Sequence, residues 1–493
     1  MSDITDREDH LAERRKGRVA RALPPAERPV FARTVTIGAV TVMAAMLVWR
    51  GFGDGLGEVA RWATWVGLAL LAFGAAPRSG LREAYLASLC VAVTLAALVL
   101  TPDPTAAIAR GLDQAAFLAA FILLLTLLFE TAITSPAVAA CGEHIARQPG
   151  GRRHAALFWG TDVMAVLFNL GIVSLLSPLV RRGLPDEGAA VRADMERRQL
   201  SAILRGFAWC VVWSPTALAP LALFELMDGI DRTRWSILGL TLAALVFALS
   251  WGEDLWRARR HPEWESHEAV PPTPWRAYGR FALATAALLT LAVGLDIASG
   301  EGLVFGLMAA CPIMMFGWLA LQSGAPRPGF AGETVDKVSA LIAQRLPGVG
   351  PVALTLACSG YLGRVAASLI PAEAVERFVE AVALPQWAWL ALVPVVITAL
   401  AFLAVSPIML AVFFGALFGG LTTLPADPTL LALAISCGWA VTMTASPFAT
   451  VVLLMAKQND VSGARLTLAW NGAFSAATLA VIAAFFYVAT GGA

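Results

Sequence analysis

The chain is built from apolar runs of about 20 residues, the length that carries an α-helix across the hydrocarbon core of a bilayer. Eleven such runs lie near 34–50, 62–77, 84–101, 112–133, 199–227, 235–252, 277–298, 302–322, 350–372, 428–456 and 466–489. In lipid every backbone amide and carbonyl must be satisfied within the protein, so runs of this length read as helices. Charged residues are 14% of the 493, against roughly 25% in a soluble domain. An all-α polytopic membrane protein is predicted, with the bilayer as its first partner and the first helix as an uncleaved anchor.

Two more apolar stretches do not fit a single crossing. Residues 154–180 are followed at once by Arg181 and Arg182, and residues 386–424 run to about twice the normal length with Ser406-Pro407 near the middle. Cytoplasmic loops carry an excess of Lys and Arg, and this bias decides the threading. If both stretches are hairpins that return to the side they entered, and the N-terminus is inside, 29 basic residues lie inside and 6 outside. If 154–180 crosses fully, the split is 16 against 19. The hairpin threading predicts about eleven crossings, an inner and an outer re-entrant hairpin, and a C-terminus outside. The chain then divides into a cytoplasmic tail 1–33, scaffold helices 34–110, a first repeat 111–234, connecting helices and loops 235–349, and a second repeat 350–493. Helix 112–133, hairpin and helix 199–227 have inverted topology relative to helix 350–372, hairpin and helix 428–456.

The two repeats share a motif. Gly206-x-Ala208-x5-Ser214-Pro215-x-Ala217 and Gly438-x-Ala440-x5-Ser446-Pro447-x-Ala449 have five identities in register. Proline lacks an amide donor and clashes with the turn before it, so each helix should break near its middle. Half-helix ends at such a break attract an anion at the amide end and a cation at the carbonyl end. Ser214, Thr216, Thr444, Ser446 and Thr450 add hydroxyls, and Pro215 and Pro447 mark the breaks. A plain proline kink is the alternative. The hairpin tips should reach the same place: Ser406-Pro407 in the second, and either Asn169, at the midpoint, or Ser177, by its spacing to Ser214, in the first.

Few ionisable residues fall within the spans. Asp162 is a candidate for a coupling cation or a hydrated carboxylate near the inner surface; Glu130 is a candidate for the same coupling role or an interfacial cap. Arg364 either neutralises an anion or snorkels outward. Asn471 reads as a helix–helix hydrogen bond. His261 and His267 stand in a loop rich in acids and prolines whose spacing matches no metal motif, and none of the six cysteines forms a short-spaced pair. The sixteen tryptophans suit interfacial anchoring.

This arrangement resembles the ion transporter superfamily, and its divalent anion–sodium symporter branch most. The resemblance covers roughly 112–489. It implies eleven transmembrane helices, two re-entrant hairpins, two broken helices in inverted repeats, a carboxylate and sodium site at the hairpin tips and breaks, and a homodimer. In that family the site carries Ser-Asn-Thr motifs; here Ser214-Pro215-Thr216 and Ser446-Pro447-Phe448 occupy the breaks, and no Ser-Asn-Thr occurs. By position, Asn169, Ser214, Thr216, Ser406 and Ser446 stand where the family's site residues stand.

The expected function is secondary active transport of a small anionic solute, a carboxylate or oxyanion, across the inner membrane. Na+ or H+ would be the coupling ion, with no other cofactor and no metal, by alternating access of an elevator type. There is no nucleotide-binding loop, GxSxG or HExxH, and nothing points to nucleic acid. A membrane enzyme acting on a lipid-linked substrate, or a non-transporting membrane subunit, is the alternative.

Overall fold

The computed structural model describes residues 29–52, 55–182, 189–259, 272–322 and 329–492. Residues 1–28 of the tail, and His261 and His267, lie outside them. The described residues form an all-α polytopic membrane protein, with eleven helices or broken helices long and apolar enough to cross a membrane. Helices α1 (Pro29–Gly51), α2 (Leu56–Ala75), α3 (Leu81–Leu100) and α4 (Pro104–Ala132) come first. A short α5 (Pro136–Ala146) leads into a hairpin of α6 (Gly150–Phe168) and α7 (Gly171–Arg182). The first broken helix is α8 (Ala189–Trp213) with α9 (Leu218–Leu226). Helices α10 (Arg232–Ala258), α11 (Trp275–Ser299), α12 (Leu303–Gln322) and α13 (Phe330–Ser368) follow. After a short α14 (Ala372–Val382) come a second hairpin, α15 (Gln386–Ala401) and α16 (Pro407–Phe418), and a second broken helix, α17 (Pro428–Ala445) with α18 (Thr450–Asn459). A π-helical turn at Arg465–Ala469 opens α19 (Trp470–Ala489).

Local sequence sets many of these boundaries. Proline is pre-organised for the first helical turn, where its missing amide costs nothing, and it begins α4, α5, α16 and α17. Asp103 and Asp427 each accept a hydrogen bond from a first-turn amide of the helix that follows. The largest departure from expectation is α13, which runs 39 residues through Pro347 and Pro351 instead of starting near 350. Neighbouring helices can re-satisfy the backbone groups that a proline frees. Helices α5 and α14 also lie in segments read as loops.

The two halves pack as counterparts. Arm α6 lies on α8 of its own half, and α15 lies on α17 of its own. The second arms cross over: α7 packs on α18 and α16 packs on α9. At the centre α8 meets α17, α4 meets α13 and α10 meets α19, each pair made of equivalent helices. A marked departure from the pattern is α16, pressed along α13 with no comparable packing of α7 on α4 among the described residues.

The shared glycines explain the first of these contacts. A Cβ on Gly206 would lie 2.2 Å from the carbonyl oxygen of Phe158 on α6, so α8 can approach that arm only as glycine. A Cβ on Gly438 would lie 2.8 Å from Cδ1 of Ile397 on α15. The first obstacle is backbone and the nearest atom is much closer; the second is the Ile397 side chain, with Cδ1, Cβ and Cγ2 at 2.8, 2.9 and 3.1 Å. We therefore expect Gly206→Ala to cost about 1–3 kcal/mol of overpacking and to lower the thermal midpoint in detergent clearly more than Gly438→Ala does. Equal midpoints would show that the α6–α8 contact is loose.

Candidate functional site

Each broken helix is interrupted over four residues, 214–217 and 446–449, and the two interruptions are built alike. The amide of Ser214 closes the last turn of α8 on Cys210 O at 2.9 Å, and that of Ser446 closes α17 on Thr442 O at 2.8 Å. Each serine hydroxyl then accepts from the amide two residues on, Thr216 or Phe448, at 3.3 Å. In each case the next alanine, Ala217 or Ala449, donates its amide to the serine carbonyl at 3.3 Å. Pro215 and Pro447 supply the break, and the serines hold its shape.

Hydroxyls at the breaks also satisfy carbonyls near the hairpin tips. Thr216 Oγ1 donates to Val166 O near the end of α6, and Ser446 Oγ donates to Ala401 O at the end of α15, 2.9 Å away. The first hairpin turns at Asn169 and Leu170. Asn169 adopts φ 47°, and its Oδ1 accepts from the amide of Leu170 at 2.7 Å. In the second tip Ala404 has φ 62°. Left-handed backbone at a residue other than glycine is costly, and here each tip has one such residue.

A cavity of about 140 Å³ lies where these parts meet. Asn169, Ser406, Pro407 and Thr450 line it. So do residues at the starts of α7, α9, α16 and α18: Leu170, Leu218, Ile408 and Val451. Four helix N-termini, two from each half, converge on one space. Each presents free amides and about half a positive charge. Phe207, Trp439 and Met443 supply apolar walls.

Two charged side chains reach the same cavity from outside the repeats. Arg82 and Glu83, in the first turn of α3, line it. An Arg82 guanidinium nitrogen lies 3.5 Å from Thr450 Oγ1, and Arg82 forms no ion pair among the described residues. Glu83 accepts from the Gly80 amide at 2.7 Å and from Thr355 Oγ1 at 3.3 Å. In the sequence Arg82 counts only as one of two basic residues in a short inner loop. The Gly80-x-x-Glu83 spacing, a helix-start signature, is the signal that places both residues on the helix itself.

The other candidates lie away from the cavity wall. Ser214, Thr216 and Ser446 are buried within the breaks. Thr444 meets Ser475 of α19 at 2.8 Å. Ser177 sits inside α7, fully buried, with no hydrogen-bond partner among the described residues. Asp162 is fully buried between α6 and the end of α8, where its carboxylate accepts from Trp213 Nε1 at 3.1 and 3.3 Å and meets no cation among the described residues. Glu130 pairs with Arg345 at 3.1 Å. Arg364 is half-buried on α13. Asn471 joins a second buried cluster, accepting from Arg205 Nε at 2.7 Å while Arg205 pairs with Glu253 at 2.8 Å. Together with Arg198–Asp254 and His154–Ser250, this cluster ties α6, α8, α10 and α19 into one body.

No family model matches the chain, and no curated protein matches it. Among solved structures, the YdaH transporter of Alcanivorax borkumensis is similar at 14% identity and a TM-score of 0.49, over 83% of this chain and 98% of that one.

The first tip is open to test because its backbone excludes most side chains. Asn169→Gly should fold with stability within about 0.5 kcal/mol of wild type, since glycine adopts positive φ freely. Asn169→Val should lose about 1–3 kcal/mol, because a β-branched residue does not. Thermal unfolding in detergent compares the two, and equal midpoints would contradict the tip geometry.

Proposed function

We propose that the chain is a secondary active transporter of a small organic anion, and that the cavity between the breaks and the hairpin tips is its substrate site. The observation that supports this most is the meeting of four helix N-termini and the unpaired Arg82 at one cavity. An anion is the ligand such a field stabilises. The apolar wall favours a carboxylate with a hydrocarbon body over a bare oxyanion. Asn169, Ser406 and Thr450 would orient it, and Arg82 would pair with its charge.

In this reading both hairpins are re-entrant, and the hairpins with the broken helices, held by the Arg205 cluster, move as a unit against a scaffold of α1–α4 and α13. The second hairpin is already pressed on α13 through α16, where Gly363 would place a Cβ 2.6 Å from Met409 O. Arg82 and Glu83 belong to a segment that the charge bias places on the inner side. The structure then represents an inward-facing state, with the outer hairpin closed on the scaffold. Asp162 takes the coupling cation, H+ or Na+: a lone carboxylate at this depth is costly unless it is protonated or paired. The movement is elevator-like, and the working unit is a homodimer in the inner membrane.

A thermal-shift screen of the purified protein against carboxylates, oxyanions and sodium identifies the solute, and uptake into proteoliposomes under imposed H+ or Na+ gradients identifies the driving ion. With that solute, Arg82→Gln should weaken binding about 10- to 100-fold, as expected for a charged hydrogen bond worth roughly 1.5–3 kcal/mol. Asp162→Asn should bind the solute but fail to accumulate it against a gradient. Solute affinity unchanged in Arg82→Gln, or gradient-driven uptake intact in Asp162→Asn, would refute the respective role.

A further inference from the structure

A second cavity is larger than the central one. It is a groove of about 930 Å³ between α6 and α11, with α5 across one end and Trp251 of α10 beside it. Small residues keep it open: Ala155, Ala156 and Gly160 on α6, and Ala282 and Ala286 on α11. The α11 wall from Tyr278 to Leu289 is about 17 Å long at 1.5 Å per residue. Apart from Thr285, whose hydroxyl donates to Phe281 O of its own helix, the polar lining is confined to one group of residues. That group is Arg152, Gln148, His144 and Tyr278. The Tyr278 hydroxyl lies 2.9 Å from His144 Nδ1, and Gln148 Nε2 lies 3.1 Å from His144 Nε2. Arg152 is exposed and forms no ion pair among the described residues.

We infer that this groove binds one anionic phospholipid, its acyl chain along α6 and α11 and its phosphate at Arg152. Hydrocarbon fills a long slot lined by alanine and glycine without requiring polar partners. A cation with hydrogen-bonding side chains beside it matches a phosphodiester. Exposed Trp251, which lines the groove, and Trp256 stand toward the end of α10, and exposed Trp275 opens α11, as tryptophans do at the headgroup level. These same segments carry the basic residues that the charge bias assigns to the inner leaflet, where anionic headgroups meet basic side chains. The site is separate from the central cavity and does not depend on what that cavity transports.

Native mass spectrometry of the full-length protein, titrated with phosphatidylglycerol and phosphatidylcholine of identical acyl chains, tests it. Wild type should retain one phosphatidylglycerol with at least about fivefold preference over phosphatidylcholine, the effect expected of one cation near a lipid phosphate. Arg152→Gln should abolish the preference. Ala286→Trp, on the exposed face of α11, should cut occupancy by both lipids about tenfold. Arg276→Gln, an exposed cation on α11 outside the groove lining, should change neither. The inference is overturned if Arg152→Gln keeps the preference or if Arg276→Gln loses as much. It is equally overturned if inorganic phosphate alone displaces the lipid.

Discussion

A proline in the middle of an apolar helix frees a carbonyl and removes an amide where there is no water to replace them, and the architecture follows from how those groups are satisfied. Here the break is four residues long in both halves, and its own serine caps it. The threonine of one break and the serine of the other then donate to carbonyls at the ends of the hairpin arms beside them. Break and tip therefore stabilise each other, and neither would persist in lipid alone. The helix halves that begin beyond the breaks and tips start at the same place, which makes the cavity electropositive by construction.

The two glycines and the crossed packing of the second hairpin arms belong to the same solution. Gly206 and Gly438 bring each broken helix against the first arm of its own hairpin, while the second arms reach across to the opposite half. Each half thus supplies part of the other's wall. The departure from this symmetry lies at the scaffold, where only the second hairpin is pressed on α13.

Much of this was legible in the sequence because proline and charge act locally. Pro215, Pro447 and Pro407 mark positions where a helix must stop or start, and the distribution of Lys and Arg separates a hairpin from a crossing at 154–180. Less was legible where a contact decides. Thr444 lies two residues before Ser446 and was grouped with the break, yet its helical position turns it toward Ser475 on α19. The apolar run placed this helix near 350–372, but α13 starts at Phe330 and runs on through Pro347 and Pro351. Arg82 was counted as a loop charge, and Glu83 was passed over, because nothing local says that the start of α3 faces the repeats; that is a property of how distant helices assemble. Spacing to Ser214 favoured Ser177 for the first tip and the hairpin midpoint favoured Asn169; the turn falls at Asn169, whose side-chain oxygen accepts from the next amide.

The central claim is that the tips of both hairpins face one shared cavity. It is tested most directly by cross-linking in native membranes, with the six cysteines replaced by alanine and single cysteines placed at Leu170 and Ile408. A short bifunctional maleimide should join the two within one molecule, and either cysteine alone should give no such product. Failure of every short cross-linker to join them, with both cysteines reactive on their own, would contradict the account.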